Sequence, residues 1–211
     1  MKREYISSEG SLPYLIVKNY FSEKDVGLMM KELQFLISEN YLGFVPPLNR
    51  PKAAVTDSGE CLIPGYMYAP NRGWASDILM SFNKIYDDKE LKRALIDINF
   101  YFTLWEYVNI DTTLVNYFED GDVYKSHRDS ALISIVYWLW EEPKLFEGGD
   151  VFFPEYGIQI PIERNQLMIM PSCTLHQVSE VKMEDKTKFS GKGRYSIVRL
   201  VSSNFDSRKI R

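Results

Sequence analysis

The chain contains two histidines, and each stands where a metal ligand could. His127 lies in Tyr124-Lys125-Ser126-His127-Arg128-Asp129, and His176 in Pro171-Ser172-Cys173-Thr174-Leu175-His176-Gln177-Val178. In extended backbone, residues two apart point the same way, so His127 and Asp129 can share one face of a strand. With His176 brought in from a distant strand, two imidazoles and a carboxylate would meet on one side of a metal ion and leave three coordination positions open. Alone the spacing is weak, because average composition places an Asp at that offset from about one histidine in twenty. A histidine in an apolar strand is also commonly a satisfied core residue, and His176 has that reading too.

The surroundings add to the case. Glu147-Gly148-Gly149-Asp150 reads as a turn opening a new strand, and Arg194-Tyr195-Ser196-Ile197-Val198-Arg199-Leu200 as a strand with Arg194 at its start. A guanidinium is the natural bidentate partner of a carboxylate in a poorly hydrated site. A dicarboxylic ligand chelating a metal at one end would need such an anchor at the other. Arg199 is a second cation on that strand, but by parity it lies on the opposite face from Arg194. Tyr117 and Tyr124 are candidates for hydrogen bonds to the ligand or to the metal-binding side chains, with plain strand packing the equal alternative for each. Cys173 reads as a small core residue rather than a ligand, and the charge run Lys182–Lys192 as a solvated loop.

These residues need elements to hold them. From about residue 98, NFYFTLWEYV, TTLVNYF, VYKSH, ALISIVYWLW, DVFFP, GIQIPI, QLMIMP, TLHQV and RYSIVRLVS read as short strands punctuated by Gly, Pro, Asp and Asn. Upstream, Tyr14–Val17 is a short strand. Ser22 then caps a helix over 23–39, with Asp25 three residues on and Val26, Met29, Met30, Leu33, Leu36 and Ile37 at helical spacing. Further helices are expected over 75–86 and 88–96. The proline-rich segment 43–75 is irregular, and Phe44, Arg50, Tyr66, Tyr68, Arg72 and Trp74 make it a candidate substrate loop. Helices first and strands later predict an α+β arrangement, with helices outside a β core of jelly-roll type.

Composition narrows the class. At 211 residues the chain suits one well-buried domain. The net charge of −4 argues against a nucleic-acid partner, which usually requires a basic footprint. Two cysteines without CxxC spacing fit a reduced, cytoplasmic home better than a disulfide scaffold. No signal-like start is present, and no stretch approaches the roughly 18 apolar residues of a membrane span.

From about Leu114 to Ser202 the sequence resembles the catalytic core of Fe(II)- and 2-oxoglutarate-dependent oxygenases, most of all the prolyl-4-hydroxylase type. In that family a Tyr-containing strand precedes His-x-Asp, as Val115-Asn116-Tyr117 and Tyr124 do here. A Gly-Gly-Asp/Glu-x-x-Phe-Pro turn follows, matched by Gly148-Gly149-Asp150-Val151-Phe152-Phe153-Pro154. An Arg or Lys after the distal histidine binds the far carboxylate of 2-oxoglutarate, and Arg194 matches it. The resemblance implies a single domain over 1–211, with a helical lead-in and substrate loop over 1–97. It implies a double-stranded β-helix (jelly-roll, cupin-like) core over 98–204. It implies Fe(II) held by His127, Asp129 and His176, and 2-oxoglutarate bound by Arg194 with Tyr117 and Tyr124. Oxygen is the second co-substrate, and ascorbate a candidate reductant.

The implied reaction is hydroxylation of an aliphatic C–H in an amino acid, a proline-like peptidyl residue or a small molecule, with release of succinate and CO2. Asp129 favours hydroxylation, since in related halogenases a small residue replaces that carboxylate. Two departures stand out. The loop MEDKTKFSGKG lengthens the stretch between His176 and Arg194, and Trp138 stands near where some relatives place a tyrosine touching the co-substrate. Rival readings are a cupin-type metal enzyme without 2-oxoglutarate, a binding module that kept the fold, and a nucleic-acid dealkylase of the same superfamily. Arg194 speaks against the first, the complete triad against the second and the acidic balance against the third. The sequence does not fix the oligomeric state.

Overall fold

Helix α1 runs from Glu23 to Ile37 and starts where its cap dictates: the Ser22 hydroxyl accepts from the Asp25 amide and donates to the Asp25 carboxylate. Its buried stripe is Val26, Met29, Met30, Leu33, Leu36 and Ile37. The computed structural model describes residues 2–8, 10–38, 66–68 and 76–204. Most of the expected substrate loop, including Phe44, Arg50, Arg72 and Trp74, lies outside the described residues, as does Cys61. Helix α2 (Asp77–Asn83) is capped by Ser76 and continues as a 3-10 turn over Lys84–Asp87, and α3 (Lys89–Ile98) is capped by Asp88.

The segment expected to be the first strand of the core, NFYFTLWEYV, is instead a 3-10 helix over Phe100–Tyr107. Asn99 caps it by accepting from the Tyr101 amide. Its buried residues, Phe102 and Trp105, are three apart, the repeat of a 3-10 helix, while Phe100 and Tyr107 face out. A run of aromatics satisfies strand propensity and a three-residue repeat alike, and here the repeat and the cap decide.

The strands are β1 (Glu4–Ser7), β2 (Leu15–Lys18), β3 (Tyr66–Tyr68), β4 (Ile110–Phe118), β5 (Tyr124–His127), β6 (Ile133–Leu139) and β7 (Phe146–Gly148). They continue with β8 (Val151–Phe153), β9 (Ile158–Ile160), β10 (Gln166–Pro171), β11 (His176–Val178), β12 (Val181–Met183) and β13 (Arg194–Ser202). Among the described residues they form a large antiparallel sheet ordered β1-β2-β10-β6-β13-β4-β3, a small one ordered β5-β11-β8-β9, and the pair β12-β7. The large sheet therefore recruits β1, β2 and β3 from the part of the chain expected to be lead-in.

The middle strand β6 is buried along its whole length, as a strand covered on both faces must be. Alternation then sorts the residues. Ile133, Ile135, Tyr137 and Leu139 pack with Met29, Leu33, Phe82 and Leu91 of the helices in one core. Val136, Trp138, Met168 and Met170 pack with Val151, Phe153 and Ile160 of the small sheet in a second. The molecule is thus layered as helices, large sheet and small sheet, and the inner faces of the two sheets look at each other.

Candidate metal centre

Strands β5 and β11 are antiparallel neighbours, and their register makes His127 and His176 direct partners. Directly opposed residues share a face, so the two rings meet with centroids 4.2 Å apart. Asp129 follows β5, and its amide donates to the Ser172 carbonyl, which ties the turn to the end of β10. The Asp129 carboxylate lies 3.6 Å from His127 Nε2 and 3.8 Å from His176 Nε2. One ligand atom from each of the three residues falls within 4.8 Å of the others.

Backbone carbonyls fix which nitrogen of each ring is free. His127 Nδ1 lies 2.8 Å from the Lys125 carbonyl and His176 Nδ1 lies 2.9 Å from the Thr174 carbonyl. Each Nδ1–H donates there, which leaves the Nε2 lone pair turned toward the carboxylate. Burial, and then the adjacent His176, pull the His127 pKa down to about 4, so the ring is neutral and ready to ligate at neutral pH. The Ser134 hydroxyl donates to Asp129 Oδ2 at 2.5 Å and sits 2.8 Å from Ser172 Oγ. Tyr124 stacks on the His127 ring at 3.6 Å and 15°. Two imidazoles and a carboxylate so oriented fit a divalent transition metal.

Arg194 enters from the large sheet. It is only 1% exposed, its Nε and Nη1 have no hydrogen-bond partner, and its guanidinium lies 4.9 Å from the centroid of the Phe118 ring. Burial without a counter-charge in contact pulls its pKa down to about 9, with Asp150 opposing. Asp150 does not neutralise it directly, because its carboxylate accepts from the Ile162 amide and Gln159 Nε2. The Gly-Gly turn passes close to Arg194 and to the Glu180 backbone. Gly149 sits at φ +74°, and a Cβ there would lie 2.7 Å from Arg194 Cδ, while one on Gly148 would meet the Glu180 carbonyl at 2.0 Å.

Arg199 is on the opposite face, as parity requires, where it donates to Thr113 and Asn83 beside the helices. Tyr117 is there too. Its ring lies against Tyr195 in the helix-side core and its hydroxyl accepts from the Gly193 amide, so it is not brought to the centre, whereas Tyr124 is. Cys173 is exposed rather than buried, because the turn after β10 carries it outward. The 182–192 run begins in β12 and is held by ion pairs, Lys186 with Asp120 at 2.6 Å and Lys188 with Glu119 at 3.4 Å. Sequence reasoning passed over Ser134. The available signal was parity, which sets Ser134, Val136 and Trp138 on the inner face of β6.

No protein-family model and no curated protein sequence matches the chain. Solved structures do match in fold. A prolyl-4-hydroxylase of Pseudomonas putida is similar over 92% of this chain and 94% of its own, at TM-score 0.61 and 14% identity. The viral collagen prolyl hydroxylase of Paramecium Bursaria Chlorella virus-1, in complex with 2OG, is similar over 90% of this chain and 96% of its own, at TM-score 0.55 and 10% identity. The non-haem alpha-ketoglutarate-dependent epimerase SnoN of nogalamycin biosynthesis is similar over 90% of this chain and 77% of its own, at TM-score 0.53 and 10% identity. The chain shares the fold of these proteins.

Proposed function

We propose that this protein is an Fe(II)- and 2-oxoglutarate-dependent oxygenase, one catalytic unit with a double-stranded β-helix core, that hydroxylates an aliphatic C–H. The observation that carries the reading is the pairing of a three-ligand metal face on the small sheet with a buried, unpartnered guanidinium on the sheet that faces it. A buried charge without a protein partner costs several kcal/mol, on the order expected of a site built to take an anionic ligand. A dicarboxylate that reaches a metal with one end and Arg194 with the other meets both needs. The fold shared with prolyl hydroxylases and with an alpha-ketoglutarate-dependent enzyme supports the same choice.

Bound Fe(II), with 2-oxoglutarate and O2, supplies the oxidant that places one oxygen atom on the substrate, with succinate and CO2 as the other products. The chain's own residues do the rest. His127, Asp129 and His176 would hold the metal. The carbonyls of Lys125 and Thr174 keep both imidazoles in the ligating tautomer, and Ser134 holds the carboxylate in place. Arg194 fixes the far end of the co-substrate, and the apolar walls Phe118, Val136 and Phe153 exclude water. The proposed substrate is an amino acid, a proline-like peptidyl residue or a small molecule, since the net charge of −4 speaks against a nucleic acid.

The test needs no substrate. Protein supplied with Fe(II), 2-oxoglutarate and air is expected to form succinate slowly, measured by mass spectrometry, and His127→Ala is expected to abolish it. Undiminished succinate formation by His127→Ala would overturn the assignment. Added proline-containing peptides and free amino acids are then screened for a gain of one oxygen atom.

A further inference from the structure

His127 and His176 oppose each other in a short and irregular piece of ladder. Strand β11 has three residues, and between the pairs Val178–Tyr124 and His176–His127 strand β5 takes three steps against two. That extra residue is a β-bulge, which bends its strand and disrupts the local pairing. A ladder so brief does little to fix the spacing of two metal ligands, and the outer face of the small sheet supplies further ties.

By alternation Ser126 and Arg128, the neighbours of His127, point away from the metal face, and both are exposed. Ser126 Oγ donates to Gln177 Oε1 at 2.5 Å, one residue past His176. The Arg128 guanidinium donates through Nη1 to the Cys173 carbonyl and through Nη2 to Glu155 Oε1 at 2.6 Å. Glu155 lies in the turn between β8 and β9, so Arg128 reaches from β5 past the start of β11 to the end of β8, three neighbouring strands of the small sheet. The bond to Cys173 also completes a series. Successive carbonyls of the turn before β11 each accept from a residue of the centre: Ser172 from the Asp129 amide, Cys173 from Arg128, and Thr174 from His176 Nδ1.

We propose that Arg128 is a positioning residue of the metal centre: it holds the turn that delivers His176 against the end of β5 and so sets the spacing of the two imidazoles. The inference rests on reading His127, Asp129 and His176 as metal ligands. An arginine suits the task because its planar fork serves two acceptors at once. Exposed ion pairs add little to global stability, so the effect falls on ligand geometry. Charge alone would act the other way, since a cation beside the site repels a divalent metal. A loss of affinity on removing Arg128 therefore reports positioning rather than charge.

The experiment is a titration of the purified apoprotein with Co(II), followed by its visible d–d bands, which report ligand geometry as well as affinity. Thermal unfolding of the metal-free chains is measured beside it. Arg128→Met keeps the aliphatic stem and loses both bonds. It is expected to weaken Co(II) about tenfold, the worth of a group that orients metal ligands, and to shift the bands at saturating metal. Its metal-free unfolding is expected to stay near that of the natural chain. Arg128→Lys, which keeps the charge but serves one acceptor, is expected to fall between the two, and it carries the test alone should Arg128→Met fail to fold. Unchanged or tighter binding, or saturated bands that do not move, overturns the role of Arg128 and leaves the metal centre standing. A natural chain that binds no Co(II) overturns the metal centre and this inference together.

Discussion

Ser134 occupies the point where the two sheets meet the metal face. Its hydroxyl donates to Asp129 and neighbours Ser172, so one small side chain orients the only carboxylate of the triad. Groups that orient metal ligands are typically worth about tenfold to a hundredfold in metal affinity. Ser134→Ala is expected to lose that much in a competition titration with a chelating dye while its thermal unfolding stays near that of the natural chain. Unchanged affinity would mean that the backbone bond from Asp129 to Ser172 suffices. Protons at the same centre give a second prediction. With His127 lowered to about 4 in the metal-free fold, against an ordinary value of 6.5, the unfolded chain binds more protons between those values. Stability of the metal-free protein therefore falls as pH falls from about 6.5 toward 4. In thermal unfolding across that window, His127→Gln is expected to show a shallower loss than the natural chain; parallel curves would refute the depressed pKa.

At the scale of elements, the 3-10 helix over Phe100–Tyr107 distinguishes two readings of one aromatic run. A strand would set Phe100 and Phe102 on one face, whereas the three-residue repeat buries Phe102 at 0% exposure and leaves Phe100 at 82%. Phe102→Ala is expected to cost about 3–5 kcal/mol and Phe100→Ser under about 0.5, measured by urea unfolding. Comparable losses would favour the strand. The same contrast explains what could be read in advance. Strands β6 and β10 are largely apolar and buried throughout because both of their faces are covered, and α1 announces itself through Ser22 and its spacing. By contrast β7, β12 and β1 are three or four residues each, too short to show a period, and only pairing defines them. In the site, His127, Asp129, His176 and Arg194 could be picked out by type and spacing. Tyr117 could not be placed from type alone, since the register of β4 against β13 turns it to the helices.

For the whole molecule, the layered arrangement is what turns scattered residues into a site. Helices cover one face of the large sheet and leave the other for the small sheet, so that the His127, Asp129 and His176 cluster and the buried Arg194 belong to the two sheets that face each other. Among the described residues no helix is long and apolar enough to cross a membrane. The fold itself admits more than one outcome, since its likenesses include both prolyl hydroxylases and an epimerase, and the residues of the site decide which. The shared requirement of the account is that metal and 2-oxoglutarate bind together, each through the residues named. The most direct measurement is an anaerobic titration of the purified apoprotein with Fe(II) and 2-oxoglutarate, followed by visible absorbance. The account predicts a weak charge-transfer band that appears only when both are present and is lost in His176→Ala and in Arg194→Met. Iron bound with no band on adding 2-oxoglutarate would contradict it and point to a metal enzyme of cupin type that works without 2-oxoglutarate.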